Sequence, residues 1–119
     1  MQLSVIIVNY NVRAFLENAL VSVQKAMKSI QGEIIVVDNA SDDDSVEMMK
    51  QKFPDVRLIV NSRNSGFASA NNKGMKEAKG SYFLLLNPDT LLQEDTLEEM
   101  LSFFEQHPEA GLAGCKILN

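Results

Sequence analysis

Short apolar runs alternate with amphipathic stretches from one end of the chain to the other. The runs are Leu3 to Val8, Ile34 to Val37, Arg57 to Val60, Tyr82 to Leu86 and, more weakly, Leu112 to Leu118. They are nearly continuous in apolar character rather than alternating, which is the habit of parallel strands covered on both faces. Leu16, Leu20, Val23, Met27 and Ile30 recur at helical spacing and predict a first helix with one apolar stripe. Val46, Met49 and Phe53 predict a shorter second helix, stopped by Pro54. Phe67, Ala70, Asn71, Met75 and Ala78 predict a third, with Gly80 where a left-handed C-terminal residue is wanted. Leu97, Met100, Leu101 and Phe104 predict a fourth that ends near His107-Pro108. The expected order is β-α-β-α-β-α-β-α-β, an α/β fold of three layers (α/β/α), doubly wound around a mainly parallel sheet. No internal repeat, low-complexity tract or linker interrupts it, so residues 1–119 are expected to form a single domain. In such sheets ligands sit beyond the carboxyl ends of the strands, near the point where strand order reverses.

Composition narrows the partners. The chain of 119 residues has a formal charge of −5, so a broad electrostatic grip on nucleic acid or an anionic membrane is not expected. Any phosphate must be held locally. The single cysteine, Cys115, offers no disulfide framework, and a reducing, cytoplasmic setting is the simplest. The apolar run Val5 to Val8 is far too short to span a bilayer or serve as a signal sequence, so no transmembrane segment is expected.

The turns after the strands differ in chemistry from those at the opposite edge. The first strand runs into Asn9-Tyr10-Asn11, the second into Asp38-Asn39-Ala40-Ser41-Asp42-Asp43-Asp44-Ser45. The third leads into Asn61-Ser62-Arg63-Asn64-Ser65-Gly66, the fourth into Asn87-Pro88-Asp89-Thr90. All four are rich in amides or carboxylates, whereas Ser29 to Glu33 and Ala78 to Ser81 are plainer. No glycine cradle for phosphate is present. Carboxylates at a ligand edge suit donors on a base or sugar, or a divalent cation that bridges to phosphate. Asp89 follows a buried strand directly, and Pro88 fixes the backbone of the turn that presents it.

Four blocks together resemble the nucleotide-binding half of a family-two inverting glycosyltransferase with the Rossmann-like GT-A fold. They are Leu3 to Asn11 (LSVIIVNYN), Val36 to Ser45 (VVDNASDDDS), Asn64 to Gly74 (NSGFASANNKG) and Leu84 to Thr90 (LLLNPDT). The resemblance implies that Asp38 bonds the imide N–H of a uracil or thymine base, with Asp43 as a further nucleotide-site residue. Asn9, Tyr10 and Asn11 would lie under the nucleotide, and the segment Asn64 to Gly74, with Asn64, Gly66, Asn71 and Asn72 as its named residues, would line its pocket. The family's Asp-x-Asp motif reads Asn87-Pro88-Asp89 here, which leaves Asn87 for the sugar and Asp89 for the metal, Mg2+ or Mn2+. Asn71 stands where many relatives carry Arg. The NPDT form is similar to a branch that includes bacterial rhamnosyltransferases, and it implies a UDP- or dTDP-sugar donor and a glycan or lipid-linked acceptor in cell-surface glycan synthesis. The full-length protein would then work in the cytoplasm or at the cytoplasmic face of the membrane. The general base belongs to the acceptor half, expected beyond Asn119, so the resemblance implies a truncated enzyme that binds donor without efficient transfer.

Plainer roles compete for several of these residues. Asp42 and Asp44 precede a helix and suit its N-terminus as caps or dipole partners. Asn71 and Asn72 can bond a neighbouring turn, and Gly74 with Ala70 and Ala78 can serve close helix–sheet approach. His107 reads as a helix-end residue, and Cys115 and the six methionines as core. A receiver-like phosphoacceptor domain shares the alternation, but it needs an acidic pair after the first strand, where this chain has Asn9-Tyr10-Asn11. A nucleotidyltransferase would bring a basic, glycine-rich loop in place of Asn11-Val12-Arg13. A non-catalytic interaction domain on the same fold is the remaining alternative.

Overall fold

In the computed structural model, residues 1–107 are described. The elements follow in the order β1 (Leu3–Asn9), α1 (Arg13–Ala26), β2 (Gly32–Asp38), α2 (Ser45–Lys52), β3 (Arg57–Val60), α3 (Phe67–Glu77), β4 (Tyr82–Leu86) and α4 (Thr96–Gln106). The expected fifth strand at Leu112 to Leu118, with Cys115, lies outside the described residues.

Every strand pair is parallel, and the sheet order is β3-β2-β1-β4. The chain therefore winds outward from β1 through β2 to β3, then crosses back to place β4 on the other side of β1. The reversal falls between β1 and β4, and the α/β three-layer fold predicted from the pattern is the one observed.

Two apolar clusters explain the continuous hydrophobicity of the inner strands. Leu3, Val5 and Ile7 of β1 face a large cluster built with Leu16, Leu20 and Val23 of α1, Met48 and Met49 of α2, and Leu97, Leu101 and Phe104 of α4. Ile6 and Val8 face the other way and pack with Ile35, Val37 and Ala70 of α3. Each fully buried Leu, Ile or Val contributes on the order of 1.5–3 kcal/mol relative to exposure, so the strand positions alone commit the chain to covering both faces. Glycine makes the smaller layer possible. A Cβ on Gly74 would stand 2.7 Å from Ile6 Cγ2 and 3.3 Å from Val37 Cγ2, so α3 lies closer to the sheet than any side chain there would permit.

Some sequence expectations fail locally. Gly80 has no left-handed conformation; α3 ends with Ala78 in an extended one, and Gly80 is pressed instead against the Ser4 backbone, 2.6 Å from a Cβ to the Ser4 nitrogen. The first helix stops at Ala26, and Ile30 packs on the core from the turn beyond it. β3 is an edge strand with exposed ends rather than a covered one, because nothing pairs beyond it among the described residues. Met1 is exposed, unlike the core role given to the methionines as a group.

Candidate functional site

The register of the sheet places Asn9 and Asp38 side by side at the carboxyl edge. Both are buried, and buried polar groups at a strand end must find partners in the turns that follow. Asn9 Nδ2 donates to Asp38 Oδ1 at 2.9 Å, and the Ser41 hydroxyl donates to the same oxygen at 2.8 Å. The Ser41 backbone N–H donates to Asp38 Oδ2 at 3.0 Å. Closing that loop requires Ala40 at φ +65°, a left-handed conformation that costs a residue with a Cβ about 1–2 kcal/mol. Asn9 Oδ1 is buried and accepts nothing from the protein.

The next residues knit the β1 and β2 turns together. Asn11, at φ +54°, accepts the N–H of Asp42 at 2.6 Å and of Asp43 at 3.3 Å on its side-chain oxygen. Asp43 accepts from the N–H and hydroxyl of Ser45 at 3.0 and 2.5 Å and from the N–H of Arg13 at 3.2 Å. One carboxylate thus serves the opening turns of both α1 and α2. Partial burial works to raise its pKa, but the bonds from Ser45 and Arg13 outweigh that and hold it below the ordinary 3.8. Asp44 stands at the N-cap position of α2 but makes no side-chain capping bond there, and its carboxylate pairs with Arg13 at 3.6 Å.

Asn39 organises the third turn. Its amide donates to Asn64 Oδ1 at 2.9 Å and to the Gly66 carbonyl at 3.2 Å, and its oxygen accepts from Asn61 Nδ2 at 3.1 Å and Ser65 N–H at 3.0 Å. Gly66 stands at φ +88° and ψ 164°, a conformation open essentially to glycine alone. After β4, the Thr90 N–H donates to the Asn87 carbonyl at 3.0 Å and closes a turn with Pro88 and Asp89 at its two corners.

These turns enclose a cleft of about 670 Å³ beside the β1–β4 reversal, lined by Val8, Tyr10, Val12, Phe15, Asn39, Asn64, Phe67, Asn87, Pro88 and Asp89. Of the residues expected at a nucleotide site, Tyr10, Asn64, Asn87 and Asp89 line it. Asn9, Asn11, Asp38 and Asp43 do not; they hold the turns after β1 and β2 together by hydrogen bonds. Gly66 does not line it either; its carbonyl accepts from Asn39, which does. Asn71 is buried and donates back to the Phe67 carbonyl at 3.2 Å, and Asn72 is exposed, so neither lines the cleft.

Sequence reasoning missed Phe15, Val8, Val12 and Asn39 as lining residues, and reached Phe67 only as part of the Asn64 to Gly74 segment. Phe15 is 56% and Phe67 59% exposed, although both belong to helices with apolar stripes. Phe15 had a signal, since it is out of phase with Leu16, Leu20 and Val23. Phe67 had only its place in that segment, since its phase with Ala70 and Asn71 reads as core.

A divalent cation has few protein donors available here. Among the described residues no three His, Cys, Asp or Glu side chains gather to hold a metal. Asp89 and Asn87 together present one carboxylate and one amide oxygen to the cleft. That set fits Mg2+ or Mn2+ only when water and ligand oxygens complete the coordination.

Residues 4–117 match the Glycosyl transferase family 2 profile, and the chain belongs to that family. It is 36% identical over 108 residues to the minor teichoic acid biosynthesis protein GgaB of Bacillus subtilis, a match covering 87% of this chain and 12% of GgaB. Residues 1–349 of S. aureus TarS superpose with a TM-score of 0.77 at 26% identity, over 91% of this chain and 33% of that one. The mannosyltransferase PcManGT from Pyrobaculum calidifontis, solved with GDP-Man and Mn2+, superposes with a TM-score of 0.74 at 25% identity, over 87% and 32%. The chain thus spans a third or less of these relatives. No helix among the described residues is long and apolar enough to cross a membrane.

Proposed function

We propose that the cleft binds a nucleoside-diphosphate sugar, UDP- or dTDP-linked, as donor for inverting transfer to the hydroxyl of a glycan or lipid-linked acceptor in cell-surface glycan synthesis. The observation that carries this reading is the mixed lining of the cleft. Tyr10, Phe15 and Phe67 contribute flat aromatic surface, and Asn64, Asn87 and Asp89 contribute amide and carboxylate groups. A nucleotide sugar carries both kinds of surface, a flat base together with hydroxyls and a diphosphate.

In this arrangement Tyr10 packs against the base, Asn64 bonds a polar edge of base or ribose, and Asn87 meets a sugar hydroxyl. Asp38 keeps the β1 and β2 turns in register; its access to a base imide would run through the edge that Ser41 now occupies. Asp89 would hold the divalent cation, and such a cation would supply charge neutralisation to a departing diphosphate. GDP-Man and Mn2+ in PcManGT support the pairing of donor and cation in one cleft. No residue of this chain is assigned the general base. The acceptor half and the rest of the enzyme are proposed to lie outside these 119 residues, in a protein acting at the cytoplasmic face of the membrane.

Titration calorimetry with UDP, dTDP and GDP, each with and without Mn2+, tests the reading. Uridine or thymidine diphosphate should bind at least about tenfold more tightly with Mn2+ than without, and Asp89→Ala should abolish that gain. Equal, metal-independent binding of all three nucleotides, or none, would refute it in favour of an interaction domain on the same fold.

A further inference from the structure

The 61–66 turn and α3 have a second side. There, a hollow of about 180 Å³ is lined by Asn61, Ser62, Arg63, Ser65, Ser69 and Lys73, and it shares no lining residue with the cleft. Its chemistry is the reverse of the rest of the molecule. Residues 57–80 carry Arg57, Arg63, Lys73, Lys76 and Lys79 against Glu77 alone, in a chain whose formal charge is −5. Glu77 is engaged by Arg57, and neither Arg63 nor Lys73 enters an ion pair among the described residues. Lys73 Nζ donates only to a neutral acceptor, Asn61 Oδ1, at 2.8 Å.

We propose that this hollow binds a phosphate group. Two cations, three serine hydroxyls and one amide surround a space of the right size, and no carboxylate lines it. Each hydroxyl can turn its proton toward an anion, and charge-assisted bonds from Arg and Lys are the strong ones for phosphate. Ser69 also stands in the first turn of α3, whose partial positive charge adds to the field. The hollow communicates with the cleft. Lys73 bonds Asn61 Oδ1, Asn61 Nδ2 bonds Asn39 Oδ1, and Asn39 lines the cleft. An anion that draws Lys73 away from Asn61 therefore loosens one support of the turn carrying Asn64. The inference is independent of what the cleft binds.

Amide chemical-shift titration of the 119-residue chain with inorganic phosphate, at ionic strength held constant with chloride, tests it. Saturable shifts should centre on Ser62 to Ser69 and Lys73 and should persist in saturating UDP. The double variant Arg63→Gln/Lys73→Gln should weaken binding at least about tenfold, whereas Lys73→Arg should retain it and Lys28→Gln, in the turn between α1 and β2 at the opposite edge of the sheet, should leave it unchanged. Co-sedimentation with phosphatidic acid vesicles and with phosphatidylcholine vesicles separates the sources of the phosphate. Capture by the first alone, lost in the double variant, assigns a lipid headgroup; saturable phosphate shifts without capture assign a soluble phosphate. Shifts that never saturate, that survive in the folded double variant, or that UDP displaces would overturn the proposal.

Discussion

Ala40 is held left-handed so that Ser41 can turn back onto Asp38, and no side-chain bond compensates it. Replacing it with glycine removes the Cβ penalty at the cost of some unfolded-state entropy, so Ala40→Gly should stabilise the chain by roughly 0.5–1 kcal/mol, read as a higher urea midpoint. Asp43 gives a pH-dependent counterpart. Its folded pKa lies below 3.8, so the stability it contributes is complete above the ordinary carboxylate range and is lost as pH falls through the lower, folded value. Urea midpoints measured between about pH 6 and pH 3 should fall more steeply for the parent than for Asp43→Asn, which should already be weaker near neutrality by about 1 kcal/mol through loss of its helix-start bonds. The run Asp42-Asp43-Asp44 shows the limit of reading such residues from sequence. All three suit a helix start, and only the backbone N–H of Arg13, donated from the other turn, singles out the Asp43 carboxylate as the bridge.

At the scale of elements, the stripes of α1 and α4 and the apolar strands were legible because burial on one face imposes a period that the sequence must obey. The ends were less legible, since they depend on what the neighbouring element supplies. Gly80 illustrates this, its small size serving contact with Ser4 rather than a helix cap. Gly74 is the sharper case. Alanine is the better helix former by about 1 kcal/mol, yet a Cβ would meet Ile6 and Val37, and overpacking costs about 1–3 kcal/mol. Gly74→Ala should therefore lower the unfolding midpoint, and that loss should shrink or reverse in an Ile6→Ala background, where Cγ2 is gone. A double-mutant cycle by urea denaturation measures the coupling; a Gly74→Ala cost unchanged by Ile6→Ala would mean that the close approach is not what glycine serves.

For the whole molecule, the arrangement of charge matters more than its sum. A formal charge of −5 argues against a general anion binder, and at the cleft that argument favours a cation shared between Asp89 and a diphosphate. The Mn2+ dependence predicted for nucleotide binding follows, because one carboxylate and one amide hold a divalent ion poorly without ligand oxygens. The same sum conceals the basic side of α3, where Arg63 and Lys73 stand clear of any acid among the described residues.

The sequence by itself determined the alternation of strands and helices, the polar character of the turns at one sheet edge, and the family, because each is written in local period or in short contiguous blocks. It also brought Tyr10, Asn64, Asn87 and Asp89 forward as ligand residues, and all four line one cleft. Only the tertiary structure showed that Asp38 and Asp43 are engaged in bonds that join the turns after β1 and β2, and that Asn39, Phe15 and Phe67 line the cleft. Neighbouring residues at a strand end point to opposite sides of the sheet. Which side opens onto a cleft depends on where β4 returns relative to β1, a contact between segments roughly eighty residues apart that no local pattern encodes.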